Sequence, residues 1–225
     1  MPEIVDILQE RLELPQLLER DGLKGIELGV ASGDFSRRLM DTELFSEFYG
    51  VDLYGDHHNT RQYLRALKRV GLGRGYQLLR CTFKDALALF PREYFDFVYV
   101  DGYAHTGEEE GRTFFQWYNK VKVGGMIAGH DYDEQWPLVR RAVNAFADEA
   151  GLTIMRTAPT KDQGPQDRFL SWAAIKTEAR EIIYPDRLKG IAKGKHSVMR
   201  MKPGQAPKRP ARKPRKPAAD QKTAT

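Results

Sequence analysis

Two pairs of side chains in this chain have types and spacing suited to chemistry. Asp101 and His105 follow the apolar run Phe95-Asp96-Phe97-Val98-Tyr99-Val100, and His130-Asp131 follow Gly124-Gly125-Met126-Ile127-Ala128-Gly129. Carboxylates and imidazoles that end neighbouring strands share one rim of a sheet, where open α/β folds place their ligands. A hard divalent cation takes oxygen ligands, often one or two carboxylates, with waters and substrate oxygens completing the shell. Asp101 and Asp131 suit such a site for Mg²⁺ or a similar ion. His130 either joins them as a ligand or orients Asp131 by a local hydrogen bond. A cation held there lowers the pKa of a bound hydroxyl and orients it. The plainer reading of Asp101 is a cap for a helix that begins near Thr106.

A second constellation lies upstream. Residues 24–34 read as a buried strand that breaks into Glu27-Leu28-Gly29-Val30-Ala31-Ser32-Gly33 and opens a helix at Asp34-Phe35-Ser36. Glycines let a ligand lie against bare backbone, and a helix start offers N–H groups without partners. Asp52 ends the next apolar run, Phe48-Tyr49-Gly50-Val51, where an acid in nucleotide-binding α/β folds holds ribose hydroxyls. The pair marks a nucleoside-cofactor site. A G-x-G-x-x-G turn would cradle a pyrophosphate, but this one is E-x-G-x-x-x-G. The carboxylate repels phosphate and suits a cation such as the sulfonium and α-ammonium of S-adenosylmethionine.

The elements that must position these residues alternate. Strands are expected near 24–30, 47–53, 76–81, 95–101, 124–130, 152–157 and 168–176, and helices near 34–41, 59–70, 84–90, 107–120 and 136–150. An amphipathic helix with a break at Pro15 is expected over Glu3 to Arg20. Such alternation implies a mostly parallel sheet covered on both faces, preceded by a helical segment over 1–22 and followed by a tail from 187. At 225 residues and 41% apolar the chain can bury a sizeable core, and no run of about 18 apolar residues suggests a membrane span. The single cysteine, Cys81, permits no internal disulfide and suits a reducing, cytoplasmic setting; it reads as a small buried residue.

On these motifs the chain resembles the class I S-adenosylmethionine-dependent methyltransferases. Within them it is similar to the metal-dependent sugar O-methyltransferases and cephalosporin-hydroxylase-like proteins, over roughly residues 20–176. The resemblance rests on E-x-G-x-x-x-G, the acid after the second strand, Asp-Gly…His after the fourth and Gly-Gly…Gly-His-Asp-Tyr after the fifth. It implies a Rossmann-like seven-stranded sheet over 23–186 whose last strand is antiparallel. It further implies that Glu27, Gly29, Ala31, Ser32 and Gly33 surround the methionine part of the cofactor, with Asp52 and Leu53 at the ribose. Thr82 and Phe83 fall where relatives contact adenine, although Phe83 reads equally as core. Asp101 then borders the cofactor, and Asp101, His130 and Asp131 hold a metal. Relatives often carry a catalytic His three positions after the first Asp. Here His105 lies four positions on, which keeps Tyr103 in view.

The remaining features concern partners. The tail from Arg187 holds 13 of the chain's 36 Lys and Arg and one of its 31 acids, which leaves residues 1–186 at a net charge of −7. With Pro203, Pro207, Pro210, Pro214 and Pro217 and no large apolar side chains beyond Lys202, it cannot offset chain entropy by burial and is expected to be disordered. Its basic stretch, 202–216, suits sequence-blind contact with nucleic acid or another polyanion. The expected acceptor is a sugar or similar small molecule, selected by loops 54–62, 103–110 and 132–137, with Trp136 a candidate pocket wall. His57 and His58 read as surface loop residues. A nucleotide-sugar oxidoreductase shares the α/β layout, but the charge of Glu27 counts against it.

Overall fold

Residues 1–55, 58–71, 73, 75–103, 107–159 and 169–190 are described by the computed structural model. Its sheet has eight strands: β1 (Ile4–Asp6), β2 (Leu23–Leu28), β3 (Phe45–Val51), β4 (Tyr76–Leu79), β5 (Phe95–Val100), β6 (Val121–Gly129), β7 (Ile154–Arg156) and β8 (Trp172–Ile175). They lie in the order β1-β7-β8-β6-β5-β2-β3-β4. Every pairing is parallel except those of β8, which runs antiparallel to both β6 and β7. From β2 the chain winds outward through β3 and β4, then returns to lay β5 on the other side of β2. The strand order therefore reverses between β2 and β5, and a crevice opens beyond their carboxyl ends.

The helices are α1 (Asp34–Met40), α2 (Thr60–Val70), α3 (Phe83–Leu87), α4 (Gly107–Glu110), α5 (Arg112–Tyr118) and α6 (Pro137–Ala150). Local signals set several of their ends. Asn59 caps α2 by accepting from Arg61 N and Gln62 N, while the Gln62 side chain accepts from Asn59 N, a reciprocal capping box. Strand alternation then divides the core. Phe97 and Tyr99 of β5 join Phe35 and Leu39 of α1 on one face. Val98 and Val100 join Phe114, Trp117 and Phe146 of α5 and α6 on the other, as the two-residue period of a strand demands.

Two expectations fail. The segment Glu3 to Arg20 is no helix. Ile4–Asp6 forms an eighth strand at the sheet edge, paired with Ile154–Arg156, and a 3₁₀ turn, Leu14–Leu18, takes Pro15 in its first positions. The helical spacing of Ile4, Val5 and Leu8 builds no buried face, because all three are exposed, Leu8 at 91%. A β-branched pair next to a strand with an open edge gains backbone hydrogen bonds that an isolated short helix would not offset. The expected helix over 107–120 also divides. Glu108, Glu109 and Glu110 adopt positive φ in a left-handed turn, and Gly111 at φ 87° opens α5. No described helix is long and apolar enough to cross a membrane.

Candidate functional site

The loop from β2 to α1 is built around Gly29. Its φ is 102°, and a Cβ there would stand 2.0 Å from the carbonyl oxygen of Asp101. Only glycine lets the two strand ends approach this closely. Gly33, at φ 75°, fits against Ala66 of α2 instead, where a Cβ would lie 2.9 Å from Cα. Asp52, at the end of β3, ties the loop down. Its Oδ2 accepts from Val30 N at 3.1 Å and Ala31 N at 2.9 Å, and its Oδ1 from Tyr54 N at 3.2 Å. The Tyr54 hydroxyl donates to Ala31 O at 2.9 Å. Burial pushes the Asp52 carboxyl up, but His58 and these N–H groups outweigh it and hold its pKa below the ordinary value.

Beside this loop lies a cleft of about 510 Å³ including its open mouth, within the size range of small-molecule sites. Gly29, Asp52 and Leu53 form one side, and Cys81, Thr82 and Phe83 another. Asp101, Gly102, Tyr103 and His58 complete the wall. Phe83 and Tyr103 meet edge to face, with centroids 5.1 Å apart. The Thr82 hydroxyl caps α3, accepting from Asp85 N at 3.0 Å and donating to Asp85 Oδ2 at 2.6 Å. Cys81 is partly exposed in this wall and not buried as expected. Burial, then the Asp85 charge, raises its thiol pKa, so it is no ready nucleophile.

His58 corrects a further expectation. It lines the cleft and is not a surface residue, and its Nδ1 lies 2.8 Å from Asp52 Oδ2. His57 falls outside the described residues, as do His105 and residues 160–168 and 191–225. Glu27, Ala31, Ser32 and Gly33 do not line the cleft. Glu27 sits beneath the loop, 1% exposed, where it accepts a hydrogen bond from the Ser36 hydroxyl, which in turn accepts from Tyr76 OH at 3.2 Å. Burial raises its pKa from 4.5 to about 8, against the opposing effect of Ser36, and Asp101 adds to the rise.

On the rim, the structure brings Asp101, His130 and Asp131 together, one ligand atom of each lying within 4.8 Å of the others. His130 Nδ1 lies 3.2 Å from Asp131 Oδ1 and 3.5 Å from Asp101 Oδ1. Burial alone would discharge the imidazole, but these two carboxylates raise its pKa to about 9. A proton on His130 thus serves as counter-charge to two acids. Two carboxylate oxygens and an imidazole nitrogen are a fitting donor set for a divalent cation.

Two further buried ionisable groups stand here that the sequence did not single out. Glu108 is 2% exposed. Burial, then the charges of Asp131 and Asp101, raises its pKa well above the carboxylate range, while Gly102 N–H donates to it. Arg11, also 2% exposed, places its guanidinium 4.4 Å over the Phe35 ring and Nη1 3.8 Å from Asp101 Oδ2. The Glu108-Glu109-Glu110 run behind Gly107 was a faint signal for the first. Nothing local marked the second.

Residues 26–132, just under half of the chain, match the model of a family described as a methyltransferase domain. No curated protein matches the sequence. Among solved structures, the N-methyltransferase NodS from Bradyrhizobium japonicum WM9 is similar with a TM-score of 0.56 and 18% identity, over 75% of this chain and 93% of that one. An O-methyltransferase from Bacillus cereus, in complex with S-adenosylhomocysteine, gives 0.55 and 16%, over 73% and 78%. A putative O-methyltransferase from Klebsiella pneumoniae gives 0.54 and 17%, over 74% and 78%. At these identities the structural likeness is one of fold.

Proposed function

With a class I S-adenosylmethionine-dependent methyltransferase domain across residues 26–132 as the premise, we propose that the chain is a divalent-cation-assisted O-methyltransferase acting on a hydroxyl of a sugar or another small molecule. The observation that carries the finer reading is the convergence of Asp101, His130 and Asp131 beside the cleft. A hydroxyl is a weak nucleophile until its proton is drawn off, and a cation held by these acids promotes that loss. O-methyltransferases stand among the structural neighbours, as does an N-methyltransferase, so the choice of a hydroxyl rests on the cluster alone.

Gly29 and Asp52 shape and fix the loop that receives the cofactor, with Glu27 beneath it. Asp52 holds the ribose through its carboxylate, and Phe83 offers a ring to the adenine. Asp101, Asp131 and His130 would hold Mg²⁺ or a similar ion, which when bound supplies Lewis-acid polarisation of the acceptor hydroxyl. The acceptor oxygen attacks the methyl carbon in line, the sulfur–carbon bond breaks, and the sulfonium leaves as a neutral thioether. His105 takes the hydroxyl proton, with Tyr103 the other candidate. Residues 202–216 give a basic stretch for loose contact with polyanions, and the single cysteine suits a cytoplasmic setting.

Turnover measured against a panel of sugars and small polyols, with product detected by mass, tests the reading. Chelator treatment should abolish activity, and Mg²⁺ or Mn²⁺ should restore it. Full activity in chelator removes the cation from the scheme. Methylation of amines alone removes the hydroxyl.

A further inference from the structure

We propose that Glu108 is a fourth member of the cation site, standing behind Asp101, His130 and Asp131 and accepting a hydrogen bond from a water on the ion. The inference rests on the cation half of the function proposed above and is independent of the acceptor.

The turn that carries Glu108 is fastened at both ends. Gly107, Glu108, Glu109, Glu110 and Gly111 all have positive φ, between 53° and 87°, a conformation that residues with a side chain adopt only where their surroundings impose it. Gly107 packs so closely on α6 that a Cβ would stand 2.5 Å from Leu138 O. At the other end, Glu110 Oε2 accepts from Gly190 N at 2.9 Å, and its carbonyl accepts from Tyr184 OH at 3.2 Å. Glu109 is exposed. Of the three glutamates, Glu108 is the one turned inward, 2% exposed, and the charges that weigh most on it are those of Asp131 and Asp101. The turn therefore delivers one carboxyl to the rim cluster.

That carboxyl is only half satisfied. The Gly102 N–H donates to it, yet its buried Oε2 has no hydrogen-bond partner among the described residues. His130 Nε2, at the same cluster, is likewise buried without one. Leaving an acceptor unmatched in the interior, beside two other acids, is costly, and a bound cation with its waters supplies both the charge and the donor. A divalent ion, together with Arg11 beside Asp101, matches three carboxylates and leaves His130 to act as a neutral ligand. Glu108 stands outside the trio whose ligand atoms lie within 4.8 Å of one another, so it serves the ion from behind them. A Mg²⁺-like ion keeps several of its waters, and groups that accept from such waters hold the ligands in place and raise affinity.

The test titrates Mn²⁺ into the chelator-treated full chain and reads its affinity by paramagnetic resonance. Glu108→Gln should weaken Mn²⁺ binding by about 10- to 100-fold and change S-adenosylhomocysteine binding, by calorimetry, less than about threefold. Glu108→Asp, which keeps the charge on a shorter stem, should recover part of the loss. Glu109→Gln, one exposed residue along, should bind Mn²⁺ as the wild type does. Without the ion, Glu108→Gln should melt no lower than the wild type, because it takes one acid from among three. The rise in melting temperature that Mn²⁺ gives the wild type should shrink in that variant. Wild-type Mn²⁺ affinity in Glu108→Gln, or an equal loss in Glu109→Gln, overturns the proposal. A lower melt without the ion, in step with the loss of Mn²⁺ binding, would make Glu108 a structural residue and overturns it too. If Glu108→Gln does not fold, Glu108→Asp carries the test with an expected loss of about 3- to 10-fold, and no loss overturns it. A wild type that binds S-adenosylhomocysteine but no Mn²⁺ removes the cation, and the role of Glu108 with it, while the methyltransferase reading stands.

Discussion

Glu27 ties the stability of the empty protein to the affinity for its cofactor, and pH separates the two effects. Its carboxyl titrates near 4.5 in an unfolded chain and at about 8 in the fold, chiefly because it is fully buried. Across that window the folded state binds more protons than the unfolded state, so stability falls as pH rises. The slope is about 1.4 kcal/mol per unit, and the whole window amounts to on the order of 5 kcal/mol, a large part of a domain's net stability. Glu27→Gln removes the titration while leaving an acceptor for Ser36. Urea unfolding of the cofactor-free proteins at pH 5.5, 7 and 8.5 should therefore show wild-type stability dropping by a few kcal/mol. The variant should lose less over the same range, because only the titrations of groups such as His130 and Glu108 remain, and be the more stable protein at pH 8.5. Binding runs the other way, because a sulfonium or ammonium near Glu27 favours the ionised carboxylate. Affinity for S-adenosylmethionine should rise up to about tenfold per pH unit until pH 8, with release of about one proton per cofactor at pH 7. Calorimetry in buffers of different ionisation enthalpy counts that proton. Parallel stability curves for the two proteins, with no proton released, would refute the argument.

Three other perturbations follow from the same geometry. Gly29→Ala forces a Cβ onto the Asp101 carbonyl and a strained φ; a cost of about 2–3 kcal/mol should lower the melting temperature by roughly 5–10 °C and abolish S-adenosylhomocysteine binding, and an unchanged melt would count against the close approach. Asp52→Asn loosens the loop that Val30 N and Ala31 N tie to it, so S-adenosylhomocysteine and 5′-methylthioadenosine should both weaken, by about 10-fold or more; a loss confined to one of them would show that Asp52 does not serve the shared nucleoside. Asp131→Asn takes one of three donors from the rim cluster without touching the cleft wall, so Mn²⁺ affinity by paramagnetic resonance should drop about tenfold or more, with cofactor affinity changed less than about threefold. Equal Mn²⁺ binding by both proteins would exclude Asp131 as a ligand.

The sequence by itself determined what local chemistry can specify. The strand ending at Leu28, the turn through Gly29 and the helix from Asp34 follow from apolar run, glycine and helix start, each readable within a few residues. Strand β5, apolar almost throughout and buried along its length, announced a central parallel strand for the same reason. Asp52, Asp101 and His130-Asp131 were legible as rim residues because parallel strands put their carboxyl ends on one edge. Tertiary structure decided what depends on distant partners. Ile4–Asp6 is a strand only because Ile154–Arg156 offers an edge to it, and no local pattern could weigh that pairing against a helix. Arg11 reaches Asp101 across a gap of 90 positions in sequence that the fold alone closes. The charge on Glu27, readable as a carboxylate in the sequence, is likewise set by the shell that buries it. Periodicity records which residues share a face of one element, whereas dielectric surroundings and ion contacts belong to the packed whole.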